Sequence, residues 1–180
     1  MQRSISSTNN VYRNLLHYHK PPTSATLTRQ QTPCDVFINH RGIDTKKNVA
    51  GLLYGHLMRL NLNPFLDSKN MKPGDKLFDK INTAIGGCKV GVAVFSPRYC
   101  QSYFCLHELA RIMEAKKRVI PVFCDVKPSE LFVKNHWRSP KHDIDRDWPE
   151  FLMTATEAII ENLIEVEEEE EEEEEQKLIV

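Results

Sequence analysis

The sequence has no apolar run near the ~20 residues that a membrane-spanning helix needs, so it reads as a soluble chain. It has no C-x-x-C. Its five cysteines (Cys34, Cys88, Cys100, Cys105 and Cys124) lack the paired His/Cys spacing of a zinc site, and read as free thiols of a reducing, cytoplasmic compartment. There is no G-x-x-x-x-G-K-[ST], which excludes P-loop phosphate handling. The first apolar run is followed by H-R-G-I-D-T rather than G-x-G-x-x-G, which excludes the dinucleotide fingerprint. A phospho-acceptor receiver would need an aspartate at the end of the third strand, where Phe95-Ser96 stand. The first 32 residues contain no acid at all.

What is present divides the 180 residues into three regions. Residues 1–32 hold Arg3, Arg13, Lys20 and Arg29 among Ser, Thr, Asn and Gln. They read as a disordered basic leader, a composition shared with organellar transit peptides. Residues 165–180 carry ten glutamates, nine of them consecutive from Glu167 to Glu175, and read as an acidic disordered tail or a fraying extension of the last helix. Between them, residues 33–164 form one domain of net charge +4. That charge suits a small anionic ligand and is too weak to argue for DNA.

Within the domain, short apolar runs alternate with helical patterns. Runs at 34–39, 64–67, 88–96 and 119–123 read as strands, the third nearly all apolar as for a strand buried on both faces. Asp44-Thr45 offers a cap to a helix with Val49, Leu52, Leu53, Leu57 and Leu60 on its apolar face. Asp75 offers a cap to one with Leu77, Phe78, Ile81 and Ile85. A third helix, to about Lys117, has Cys105, Leu106, Leu109, Ile112 and Met113 at helical spacing, and residues 148–164 are helical again. Strict alternation predicts parallel strands in a three-layer, flavodoxin-like α/β sheet; the order is not visible in the sequence, and 2-1-3-4 is the common solution for a small sheet of this kind. Residues 125–147 are polar and proline-broken and show no clear fifth strand.

In such a sheet, ligands bind at the carboxyl ends of the strands. There the sequence puts Arg41, Gly42 and Asp44 after strand one, then Asp67 and Lys72-Pro73-Gly74 after strand two. Ser96, Ser102, Phe104 and Glu108 follow strand three. Taken singly, Arg41 is a surface charge, Asp44 a helix cap and Glu108 a solvated helix acid. Taken together they make a basic, glycine-opened pocket facing a carboxylate and an aromatic wall.

The segments D-V-F-I-N-H-R-G-I-D-T, P-F-L-D-S-K-N-M-K-P-G-D-K-L, V-G-V-A-V-F-S-P-R-Y-C-Q-S-Y-F-C-L-H-E-L and V-I-P-V-F-C-D-V-K-P-S closely resemble a plant TIR (Toll/interleukin-1 receptor) domain. The likeness is to the TIR-only type that acts as a 2′-cyclic ADP-ribose synthase. It runs through about residues 33–130, and more loosely 148–164. It implies an NAD+-cleaving enzyme of plant immune signalling, with Glu108 of C-L-H-E-L as the catalytic acid. NAD+, or NADP+, would be a substrate rather than a cofactor, and no metal would be needed. The resemblance places His40, Arg41, Gly42, Lys46, Ser102 and Phe104 around the substrate. Phe104 stands where the family usually has tryptophan, and Lys46 where many members have arginine. Cys105 matches a cysteine that the family links to a further activity on nucleic acid, making 2′,3′-cyclic nucleotides. Self-association with other TIR domains is also implied, although Gly51-Leu52 replaces the Ser-His pair that many members use for it. A non-catalytic TIR interaction module is the alternative reading; cytoplasmic placement is expected, with organelle or nucleus as alternatives.

Overall fold

A computed structural model describes residues 34–45, 48–131 and 148–178. The leader at 1–32 and most of the 125–147 segment lie outside the described residues, and so does the question of a fifth strand.

Four parallel strands form one sheet: β1 (Val36–His40), β2 (Pro64–Phe65), β3 (Val90–Phe95) and β4 (Arg118–Phe123), in the order β2-β1-β3-β4. The predicted order is the observed one. β1 is buried along its whole length and β3 nearly so, as central parallel strands must be. Pro121, which cannot donate to a ladder, lies in β4, bordered on one side only among the described residues.

The helices are α1 (Gly42–Thr45), α2 (Val49–Arg59), α3 (Asp67–Asn70), α4 (Leu77–Gly87), α5 (Tyr103–Glu114) and α6 (Trp148–Leu178). Single 3-10 turns stand at Tyr99–Gln101 and Pro128–Glu130. α2 and α6 pack together on one face and α4 and α5 on the other, which gives the three layers. Under α4 and α5 the core is Phe37, Phe65, Ile81, Ile85, Cys88 and Ile112, with Phe37 stacked on Phe65. No helix among the described residues is long and apolar enough to cross a membrane.

Two close fits decide where α5 lies. A Cβ on Gly91 of β3 would come within 2.7 Å of Ile112 Cγ2, so the absence of a side chain there lets α5 settle onto the sheet. Ala93 is the next residue on that face of β3, beside Asn39 of β1 in register. One helical turn before Ile112 comes Glu108, which is thereby brought over Asn39 at the strands' carboxyl ends.

Three expectations need correction. The helix caps differ: Asn48 Oδ1 accepts from Val49 N (2.8 Å) at the start of α2, and α4 has no side-chain cap. Asp75 instead accepts from Lys72 N (2.9 Å), closing the turn that Pro73-Gly74 makes with Gly74 at φ 92°. The apolar stripes are wider than the buried ones, for Leu52, Leu77, Phe78, Leu106 and Met113 are exposed. Lastly, of the two readings of the acidic run, the disordered tail gives way to the helix extension: α6 is helical through Leu178. Glutamate is a good helix former, and the helix enters the run already nucleated. Lys89 pairs with Glu167, and Arg118 with Glu165 and Glu169, at the opposite edge of the sheet from Glu108.

Candidate active site

Glu108 lies in the second turn of α5, half-buried, with its Oε2 accepting from Asn39 Nδ2 at 2.7 Å. Burial pushes its carboxyl up from 4.5 to about 7; the Asn39 bond and His40 oppose this, while the negative charge of Asp67 adds to it. A carboxyl poised near neutrality at the carboxyl edge of a parallel sheet has the properties of a working acid.

Asn39 is fully buried. Its Nδ2 also donates to the Cys105 carbonyl (3.2 Å), and its Oδ1 accepts from the Tyr99 hydroxyl, itself buried in the 3-10 turn before α5. Burial next to Cys105 and Glu108 raises the Tyr99 phenol far above its usual range, so it stays protonated and donates.

Next along β1, His40 is buried between Thr45 and Asp67. Its Nδ1 lies 2.9 Å from Thr45 Oγ1 and its Nε2 3.2 Å from Asp67 Oδ1. Since an ionised carboxylate only accepts, Nε2 carries the proton in that contact. Thr45 Oγ1 also lies 3.0 Å from the Arg41 carbonyl, in position to donate to it. Thr45 thus braces the turn after β1 rather than capping α2. Asp44 turns the other way: it accepts from Ser96 Oγ (2.7 Å), Arg98 N (3.0 Å) and Arg98 Nε (2.6 Å). It ties the β3–α5 connection to α1.

Arg41 reaches across the rim, and its Nη1 donates to Ser102 Oγ (3.2 Å). Ser102 Oγ also accepts from Cys105 N (3.3 Å), which makes Ser102 the cap of α5 as well as the anchor of the guanidinium. Arg41 Nε is buried with no hydrogen-bond partner among the described residues. Gly42 has room for a side chain, the nearest atom to a Cβ being His40 Cε1 at 3.9 Å, so its space is open rather than filled. Phe104 is 48% exposed on the first turn of α5 and stacks against Phe78 at 5.9 Å. Tyr103 and His107 stack beside it.

The structure therefore brings together Glu108, His40, Arg41, Ser102 and Cys105, with Gly42 and Phe104 at the margin. Lys46 lies outside the described residues. Cys105 is buried, its Sγ–H donating to the His40 carbonyl at 3.3 Å, and burial pushes its thiol up. That is a packing position, not an exposed nucleophile. All five cysteines are free. Sequence pattern alone points to neither Asn39 nor Tyr99. The available signal is an amide inside an otherwise apolar strand, which must find partners. Among the described residues no group of three or more metal-ligating side chains converges.

The model of the TIR domain family matches residues 34–176. A probable 2′ cyclic ADP-D-ribose synthase of Brachypodium distachyon is 47% identical over 124 residues, which are 69% of this chain and 55% of that protein. The TMV resistance protein N of Nicotiana glutinosa is 39% identical over 101 residues, 54% of this chain and 9% of that protein. Among solved structures, the TIR domains of the activated Roq1 resistosome superpose with a TM-score of 0.53 at 31% identity, covering 74% of this chain and 82% of that one. The chain thus spans about half the length of the first relative and under a tenth of the second.

Proposed function

This chain belongs to the TIR domain family, and on that premise we propose that it cleaves the nicotinamide–ribose bond of NAD+ in plant immune signalling, with Glu108 as the acting carboxylate. The observation that carries the reading is the state of Glu108. It is a half-buried carboxyl near pH 7, one oxygen held by Asn39, on a rim that also bears the Arg41–Ser102 pair and an exposed aromatic ring.

The chemistry follows from those groups. As the C–N bond breaks, its electron pair leaves with nicotinamide, which departs neutral, and positive charge develops on the ribosyl carbon. The ionised Glu108 carboxylate stabilises that charge and orients the ribose hydroxyls. Phe104 stacks on the nicotinamide ring, while Arg41, held by Ser102, offers its charge to an anionic group. Water attack gives ADP-ribose and releases a proton; attack by a hydroxyl of the ADP-ribose itself gives a cyclic isomer. A carboxylate near neutrality is suited to accept that proton. NAD+ is the substrate in this scheme, and the steps run on side chains alone without a metal. Five free cysteines, three of them buried, accord with a reducing, cytoplasmic setting.

Assembly with further TIR domains is part of the proposal. Leu52 and Met58 on α2 are 43% and 47% exposed, apolar side chains available for a second domain. A purely non-catalytic module would leave the poised carboxyl unused.

NAD+ turnover by purified protein at high concentration tests the reading, with Glu108→Gln beside it. Loss of about 10²-fold or more in the variant is expected. Equal product from both proteins would remove Glu108 from its role.

A further inference from the structure

The hydrogen bonds of Asn39 with Tyr99, the Cys105 carbonyl and Glu108 form a relay from β1 to α5 that the proposed chemistry does not by itself require. The amide of Asn39 has one orientation open to it. Turned the other way, its oxygen would face the Cys105 carbonyl and the Glu108 carboxylate, two acceptors. The Tyr99 hydroxyl secures the remaining end by donating to Oδ1. Asn39, Tyr99 and Cys105 are buried, where an unmet polar group is costly and a met one is rigid.

We propose that Asn39 is a positioning residue for Glu108: held by Tyr99 and the Cys105 carbonyl, its amide fixes Oε2 and leaves Oε1 as the oxygen that faces the reacting ribosyl centre. Tyr99 acts one bond further back. The proposal rests on Glu108 being the acting carboxylate.

Among the described residues, four other charged or titratable groups act on Glu108 or are acted on by it. His40 comes from β1, Asp67 follows β2, Cys105 lies on α5 itself, and Tyr99 stands in the turn before it. Asp67 disfavours the ionised carboxylate and His40 favours it, while Asn39 is the direct hydrogen-bond donor to it. Removing the amide therefore takes away the contact that favours ionisation while burial remains.

The experiment follows the Glu108 side-chain carboxyl by carbon-13 NMR titration in the unliganded protein, for the wild type, Asn39→Ala and Tyr99→Phe. NAD+ kinetics are measured across pH beside it. Asn39→Ala should raise the titration midpoint by about one pH unit, the size of one lost hydrogen bond to a charged acceptor. From a midpoint near 7, that leaves about a tenth of the carboxyl ionised at pH 7. Its kcat should then fall at least about five-fold at that pH with KM unchanged, and recover in part at higher pH. Tyr99→Phe deletes a single oxygen and should move the midpoint the same way by less. A midpoint unchanged in both folded variants overturns the positioning role. If Asn39→Ala does not fold, Tyr99→Phe decides alone: a raised midpoint upholds the relay and an unmoved one ends it. Absence of NAD+ turnover in the wild type removes the cleavage reading, yet the titration still decides whether Asn39 governs Glu108.

Discussion

Replacing Glu108 by glutamine should make the folded chain more stable, and the gain should grow with pH. The carboxyl sits at about 7 in the fold against 4.5 when exposed. At pH values between these, the unfolded chain has lost the proton and the folded one has kept it. Stability therefore falls as pH rises from about 4.5 and levels off above about 7. A displacement of 2.5 units corresponds to about 3 kcal/mol at 1.36 kcal/mol per unit, and solvent reaching a half-buried group lowers this to about 2 kcal/mol. Glutamine fills the same volume, keeps an acceptor for Asn39 Nδ2 and carries no charge. Urea unfolding followed by circular dichroism, at pH 5 and pH 8, reads the effect. The variant should nearly match the wild type at pH 5 and exceed it by about 2 kcal/mol at pH 8. A difference that is the same at both pH values, or a variant weaker at pH 8, would refute the reasoning. Together with the activity loss proposed above, the outcome would be a site that costs the fold stability in order to keep an acid poised.

Gly91→Ala should destabilise the chain by about 1–3 kcal/mol, because its Cβ would press into Ile112, and a neutral urea midpoint would show that α5 has slack there. Phe104→Ala should raise KM for NAD+ by about ten-fold at a cost of no more than about 1 kcal/mol of stability, as the half-exposed ring loses only its stack on Phe78. An unchanged KM would take Phe104 out of the site. Lys89→Ala combined with Arg118→Ala should speed amide exchange over residues 165–170 while leaving the buried Ile159 region as it was; equal rates would mean that the helix holds the acidic run unaided.

The architecture was legible because each strand is a short apolar run separated from the next by a helical pattern, and parallel neighbours need those crossovers. The strand order came from fold analogy and proved right. From its position at the strand-to-helix handover alone, Glu108 reads as a solvated helix acid; it was legible as a candidate from the C-L-H-E-L resemblance. Asn39 and Tyr99 were not, because their contacts join residues 60 and 69 positions apart, and no local pattern encodes a side chain meeting another across a sheet. Periodicity overreached at Leu52, Leu77, Phe78, Leu106 and Met113. It reports which residues share a helix face, not what covers that face. Composition left the glutamate run open between a disordered tail and a helix extension. Charge repulsion argues against compaction, but a helix already packed on the sheet can carry such a run onward when two cations meet its first turns.

Where that glutamate run is anchored has an electrostatic consequence. Lys89 and Arg118 stand at the amino ends of β3 and β4, whereas Glu108 sits beyond their carboxyl ends, so a strand of six residues, about 20 Å, lies between. That is more than two Debye lengths at physiological salt. Asp35, at the near pole, feels Glu167; Glu108, at the far pole, answers only to its own neighbours. The molecule can therefore carry a dense negative pole without repelling an anionic ligand from its opposite end.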